Sequence, residues 1–502
     1  VNADAVVIGS GASGLVCARI LAKEGKRVLV AEKHARLGGY LQRFYRQKIP
    51  FDTGFHYTGR LGPRGTLRRY LEYLGVMDEL RFHALDPDGF DRIRLPGLSF
   101  AVPAGRERYR ERLVAQFPTE RVAIERYLGE VARVSAAFPL YSLDGPGDEK
   151  GYQDLVAGSL SLATFLDSIT RDEGLKSVLA GQSFLHGTPP SRVPFWVHAL
   201  VTDSFIQDGA FGLDGGGDAL ARALSRKIKA AGGEVRLKDG VRRILVSERT
   251  VTGVELDSGE QVEAPVVVAA IHPRRVLELL PEGSVTPAYA SRVRSLEESV
   301  SSLGLYFRMN RRFEDVGASN LYWYRTSDRE SPFREASAAP GGPGFLFATW
   351  PSVRDRSWRY PDNMIVLTTV QQSEVFPRWE SLATGDRSRE YEAWKARAGE
   401  AVVATLEREM PGFRGSCDLL TVSTPLTNRD YTGSHLGGNY GVLQSLEQQG
   451  IYKLSVRTRI KGLYLTGQSL GLMGIVGVTI TAFRTAGEIL GQDRLLEKVR
   501  RG

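Results

Sequence analysis

The 502-residue chain is 42% hydrophobic and 25% charged, a globular balance that excludes a largely disordered or fibrous protein. Its net charge is +8, but basic and acidic residues are scattered, so neither a charged tail nor a nucleic-acid-binding face is expected. Only Cys17 and Cys417 are available and no HExxH spacing occurs, which excludes a disulfide framework and predicts no metal.

The first element is the apolar run Ala5-Val6-Val7-Ile8, which reads as a buried parallel strand. It runs straight into the chain from the first residues, so no signal peptide is expected. Gly9-Ser10-Gly11-Ala12-Ser13-Gly14 follows as GxGxxG, and a helix is predicted over Leu15–Lys23 with a stop at Gly25. Gly9 allows a tight turn, Gly11 lets the backbone approach a pyrophosphate, and Gly14 lets helix and strand pack closely. Ala12 and Ser13 complete the phosphate-facing turn, and the helix N-terminus offers free N–H groups to an anion. A second strand, Arg27–Ala31, ends at Glu32, placed to accept both ribose hydroxyls of an adenosine. A glutamate there disfavours a 2′-phosphate, so NADP is not expected.

After Glu32 and Lys33 the chain does not turn back quickly into a second half, as an NAD domain usually does. A glycine pair, Gly38-Gly39, comes first, and such a loop brings backbone close to a second ligand segment, as an extended FAD needs. Phe51-Asp52-Thr53-Gly54-Phe55-His56-Tyr57 follows. Together, Glu32, Gly38-Gly39 and FDTGFHY resemble the flavin amine-oxidase and phytoene-desaturase superfamily. Within it the chain is most similar to the branch of retinol saturases and carotenoid isomerases and desaturases. Gly187-Thr188-Pro189-Pro190-Ser191, Trp350-Pro351-Ser352, Ser423-Thr424-Pro425-Leu426-Thr427-Asn428 and Gly462-Leu463-Tyr464-Leu465-Thr466-Gly467-Gln468 carry the resemblance along nearly the whole chain.

The resemblance implies an α/β fold: a Rossmann-type, glutathione-reductase-like FAD-binding domain with an inserted mixed α+β substrate domain. The cofactor half is expected at 1–75, 205–289 and 421–502, and the substrate half at 76–204 and 290–420. It also implies cofactor contacts from Lys33, Asp52, Thr53 and Gly54, from the Val241 backbone near the adenine, and from Gly467 and Gln468 near the ribityl chain. A final helix is predicted over Leu470–Gly487, whose apolar run Leu470–Phe483 carries three glycines and is too short to span a membrane. Its N-terminal part, with Gly474, Ile475 and Val476, is expected at the pyrimidine edge of the flavin, where the helix dipole favours negative charge. Between these segments the sequence predicts helices at Arg106–Phe117 and Glu120–Phe138, and a hairpin of Val241–Val246 and Val251–Asp257. A buried strand is predicted at Val266–Ala270, and further strands at Ser302–Met309, Phe345–Thr349 and Ile365–Val370. Gly- and Pro-rich loops fall at 143–151 and 336–344.

A flavin performs the redox step itself, so few catalytic side chains are needed. By resemblance His56 and Tyr57 are the best-placed proton carriers, with His435 and Tyr440 behind them. His186 and His198 read as pocket or core residues, and His34, His83 and His272 show no partner pattern. Aromatics such as Phe184, Phe195, Trp196, Phe205, Tyr322, Trp323, Tyr324, Phe345, Phe347 and Trp350 would divide between core and an apolar tunnel. The function expected is an FAD-dependent oxidoreductase acting on C–C or C=C bonds of a retinoid, carotenoid or polyene, as saturase, desaturase or isomerase. The alternatives are an amine-oxidase-like flavoenzyme and a non-redox lipid- or prenyl-binding protein on the fold of GDP-dissociation inhibitors. The electron partner is left open. The expected location is cytoplasmic, with a peripheral membrane contact suggested by the lipophilic substrate and by Arg106, Arg108, Arg110 and Arg112.

Overall fold

The computed structural model describes residues 2–145, 149–311, 317–335, 341–449 and 454–501. Both Gly- and Pro-rich loops expected from the sequence lie partly outside the described residues.

The first apolar run forms a strand, Ala5–Ile8, at the centre of a five-stranded parallel sheet. The order is Leu463–Leu465, Val267–Ala269, Ala5–Ile8, Val28–Glu32, Glu234–Leu237. The three inner strands are apolar on successive residues up to Glu32 because the sheet is covered on both faces there, whereas the edge strand Glu234–Leu237 is not. Ala5 and Val7 join a core with Leu15 and Leu21 of the helix Ala12–Lys23, Leu220 of Gly216–Ala230 and Phe483 of Gly474–Leu490. Val6 and Ile8 join the other core, with Ile244 and Val254 of a three-stranded antiparallel sheet. That sheet contains the expected hairpin, Val241–Ser247 and Thr250–Leu256, turning through Glu248 and Arg249 at φ 46° and 62°.

The second half is built on a seven-stranded sheet drawn from residues 91–102 and 301–423. Its order is Cys417–Ser423, Ser301–Met309, Asn363–Val370, Phe345–Thr349, Asn320–Tyr324, Asp91–Leu95, Leu98–Val102. All neighbours are antiparallel except Asn320–Tyr324 with Asp91–Leu95, which run parallel and place Asn320 opposite Asp91. Helices Arg121–Ala137 and Phe195–Ile206 pack together through Tyr127 and His198. The four arginines at 106–112 are spent internally: Arg106 on Asp203 at 2.5 Å, Arg108 on Asp88, Arg110 on Glu107 and Glu125, and Arg112 on the carbonyls of Asp88 and Ala101. Among the described residues no helix is long and apolar enough to cross a membrane.

Two element boundaries differ from the sequence reading for identifiable reasons. The first helix starts at Ala12 rather than Leu15, because Gly11 takes an extended conformation and serves as its N-cap. The last helix starts at Gly474 rather than Leu470. Gly471 and Gly474 adopt φ 110° and 68°, which breaks the apolar run into a short 3-10 turn followed by an extended Met473.

Candidate active site

A cavity of about 400 Å³ connects the two halves. At one end it is lined by the glycine turn: Gly9, Gly11, Ala12 and Ser13 face it, together with Glu32, Lys33, Gly38 and Gly39. Gly9 sits at φ 94°, the left-handed region the turn requires. A Cβ added at Gly11 would meet nothing within 4 Å, so this backbone lies open to a ligand. Gly14 does not line the cavity. A methyl there would overlap the Gly9 carbonyl oxygen and lie 2.9 Å from Ala270 Cβ, which makes Gly14 the packing glycine. The buried Glu32 carboxylate accepts from Ser10 N (2.9 Å), Ser10 Oγ (2.6 Å) and His34 N (2.9 Å). Those bonds fix it at the end of its strand with acceptor capacity left over. Val241 and Asp257 line the same end. This open glycine backbone beside an anchored acid fits the adenosine and diphosphate of a dinucleotide.

A hairpin carries the next segment into the cavity. Arg43–Arg46 and Ile49–Asp52 pair antiparallel and turn through Gln47 and Lys48 at φ 47° and 66°. Its end delivers Thr53, Gly54, His56 and Tyr57 to the lining. Asp52 departs from the sequence expectation. It does not line the cavity, because its carboxylate accepts from Arg43 Nε at 2.7 Å and Nη2 at 3.2 Å. The cause is register: Arg43 and Asp52 are cross-strand partners, and burying one charge requires the other beside it. The motif aspartate therefore supports the hairpin.

The C-terminal segment closes the cavity from the other side. Gly467, Gln468, Gly474, Ile475 and Val476 line it, and the helix Gly474–Leu490 begins there without a side-chain cap. Its first N–H groups are thus free for a ligand, and the dipole favours negative charge at that point. Ser13 Oγ and Thr466 Oγ1 lie 2.6 Å apart, tying the glycine turn to this segment.

Beyond the helix the lining becomes aromatic: Phe184, Phe205, Tyr322, Phe347 and Tyr440, with His56 and Tyr57 among them. Tyr322 lies 5.2 Å from Phe347, and Tyr57 5.0 Å from Phe205, between ring centroids. Phe195, Trp196, Trp323, Tyr324, Phe345 and Trp350 do not line this cavity and pack in the core. Both His56 ring nitrogens are shielded and unpartnered, and burial pushes its pKa down to about 4. Tyr57 Oη donates to Asp91 Oδ2 at 2.8 Å and lies 2.5 Å from Tyr322 Oη. Gln182 Nε2 also donates to Asp91 Oδ2, at 2.5 Å, and Asn320 Nδ2 donates to Oδ1 at 2.8 Å. Burial raises the Asp91 carboxyl to about 6 against the pull of these bonds. No sequence signal marks Asp91, a lone acid at the start of a strand. The parallel pairing places Asn320 opposite it, and Tyr57 and Gln182 reach it from two further segments.

The remaining histidines divide. His198 Nε2 pairs with Tyr127 Oη at 2.9 Å, and the His186 ring lies 5.7 Å away, inside the helical core. His83 and His272 have the partners the sequence did not reveal: Asp214 at 2.8 Å and the buried Glu298 at 3.0 Å. His435 stacks 5.4 Å from His272 and does not line the cavity, whereas Tyr440 does.

Residues 12–490 match the sequence model of the flavin containing amine oxidoreductases. All-trans-retinol 13,14-reductase of Rattus norvegicus is 30% identical over 530 aligned residues, covering 98% of this chain and 86% of that one. Prolycopene isomerase 2 of an Oncidium hybrid cultivar is 25% identical, covering 93% of this chain and 80% of the other. Among solved structures, an oxidoreductase from Methanosarcina mazei superposes with a TM-score of 0.65 at 16% identity, covering 96% and 99% of the two chains.

Proposed function

The chain belongs to the flavin-containing amine oxidoreductase family, and from that premise we propose that it reduces a C=C bond of a lipophilic conjugated substrate such as a retinoid, carotenoid or other polyene. The cofactor is FAD. The observation that carries the substrate reading is the lining of the cavity beyond the helix N-terminus. There it is aromatic and apolar, and its ionisable groups are the neutral His56 and tyrosine hydroxyls.

FAD held there would, when reduced, supply the hydride for such a reduction. The protein's part is to bind, orient and exclude water. Glu32 would receive the ribose hydroxyls, the Gly11–Ser13 backbone would meet the diphosphate, and Gly467 and Gln468 would hold the ribityl chain. The first turn at Gly474, Ile475 and Val476 favours negative charge beside it. Phe184, Phe205 and Phe347 flank the polyene and keep water from the reacting carbons.

An amine substrate would call for carboxylates guiding a cation into the aromatic chamber. The carboxylates lining the cavity, Glu32 and Asp257, stand at its adenosine end, and Asp91 lies behind two tyrosines. The test is direct. The purified protein is expected to show flavin absorbance bands and to release FAD on heating. Reduced anaerobically and mixed with all-trans-retinol, it is expected to reoxidise as the polyene loses a double bond. A colourless protein that fails to take up FAD removes the flavoenzyme reading. Reoxidation by none of a panel of retinoids and carotenoids, with turnover of small amines, replaces the substrate.

A further inference from the structure

Adding hydrogen across a C=C bond takes a hydride and a proton, and the proton needs a donor beside the substrate. His56 is held neutral by burial, so near pH 7 it lacks the acidic imidazolium proton and keeps only a weakly acidic ring N–H. Burial also lifts the Tyr57 and Tyr322 hydroxyls well above their ordinary range, so a tyrosinate left behind in this chamber is costly. Both line the cavity, however, and a carboxyl group stands directly behind them. Asp91 is 0% exposed and bonded through Tyr57 Oη (2.8 Å) to Tyr322 Oη (a further 2.5 Å).

Resting on the polyene-reductase reading, we propose that Asp91, Tyr57 and Tyr322 form a proton relay in which Asp91 stores the proton and the Tyr322 hydroxyl hands it to a substrate carbon. The chain of hydroxyls has two orientations. With Asp91 ionised, Tyr322 donates to Tyr57 and Tyr57 to the carboxylate. With Asp91 protonated, its O–H donates to Tyr57, Tyr57 to Tyr322, and the Tyr322 hydrogen is left to point into the cavity. The step then balances. One alkene carbon takes a hydride, with both its electrons, from the reduced flavin, and the π bond breaks. The other carbon forms a C–H bond with the Tyr322 proton. Tyr57 replaces that proton and Asp91 replaces the one on Tyr57, so the Asp91 O–H bond is the one finally lost and both tyrosines end neutral.

The surroundings suit both states of the store. Gln182 and Asn320 donate to the carboxylate, and the buried Arg354, held by Asn320 Oδ1 at 3.0 Å, faces it with a positive charge. Burial lowers Arg354 only to about 10, so it stays charged at neutral pH. Burial still outweighs these groups at Asp91, which is raised to about 6 and so titrates near neutrality.

The experiment compares holoprotein of the wild type with Asp91→Asn and Tyr322→Phe, each first checked for full flavin absorbance. In single turnover with all-trans-retinol, the wild-type rate is expected to be flat below about pH 6 and to fall above it, as Asp91 loses its proton. Either substitution should slow that step by about 100-fold or more, and Asp91→Asn should abolish its pH dependence. Wild-type turnover with both variants within about threefold of it overturns the relay and leaves the reductase reading standing. If the wild type does not turn over retinol, the relay is read without substrate. The infrared carbonyl band of a protonated carboxyl, taken as wild type minus Asp91→Asn, should titrate with a midpoint near 6 and shift in Tyr322→Phe. A band that neither titrates near neutrality nor responds to Tyr322→Phe overturns the proposal in that case. Tyr57→Phe, which breaks the chain in the middle, guards against a misfolded Asp91→Asn.

Discussion

Gly14→Ala is expected to yield a chain that loses both stability and flavin, whereas Gly11→Ala should fold and lose flavin alone. The two positions differ in what a methyl would meet. At Gly14 it would overlap the Gly9 carbonyl oxygen and crowd Ala270, so helix Ala12–Lys23 and strand Ala5–Ile8 would have to separate. Overpacking of this kind costs about 3 kcal/mol, and more where backbone must move. At Gly11 the backbone is already in a conformation any residue adopts, φ −61° and ψ 169°, and nothing stands within 4 Å of the added carbon. The methyl would occupy only the space where a diphosphate approaches. Losing one charge-assisted backbone hydrogen bond there is worth about 1.5–3 kcal/mol, or roughly 10- to 150-fold in FAD affinity. Flavin-to-protein ratio and thermal melting, measured together, separate the two outcomes. Flavin loading of Gly11→Ala equal to that of the wild type would remove the glycine turn from the cofactor site.

That contrast also shows which features are legible in a sequence. The glycine turn and Glu32 can be read because one β–α–β unit is a local ruler: the strand fixes the turn, the turn starts the helix, and the second strand returns its acid beside Ser10. The hairpin Val241–Leu256 and the strands Ser301–Met309 and Phe345–Thr349 are read from local pattern for the same reason. The start of the last helix is misplaced because an apolar run does not report that Gly471 and Gly474 take positive φ. Asp91 is invisible because its partners come from residues 57, 182 and 320, with Arg354 behind them, on four separate segments joined only by tertiary pairing. His272 and Glu298 are hidden in the same way. Asp52 is visible, but its role is set by Arg43, and that pairing depends on a hairpin register that the motif does not contain.

Arg43→Met should therefore be among the most destabilising single changes near the site, although Arg43 itself does not line the cavity. Its guanidinium is buried with Asp52 at 2.7 Å and with Asp355 at 4.0 Å, all three side chains less than a tenth exposed. Removing the cation leaves two carboxylates in a low-dielectric setting, an uncompensated burial that costs about 3–5 kcal/mol. The penalty should fall first on the hairpin, whose end carries Thr53, Gly54, His56 and Tyr57 into the cavity, so flavin and the aromatic chamber are disturbed before the parallel sheet unfolds. In a denaturant titration the flavin signal is then expected to be lost at lower concentration than the far-ultraviolet dichroism, with the two closer together in the wild type. The double variant Arg43→Met, Asp52→Leu should recover a large part of the loss, because it removes a stranded carboxylate along with its partner, while Asp355 keeps its bonds to Ser357 and the Gly215 N–H. If the double variant is instead no better than Arg43→Met alone, Asp52 meets something other than Arg43 in the working protein, and the cofactor contact that its motif suggests becomes the stronger account of its place in the sequence.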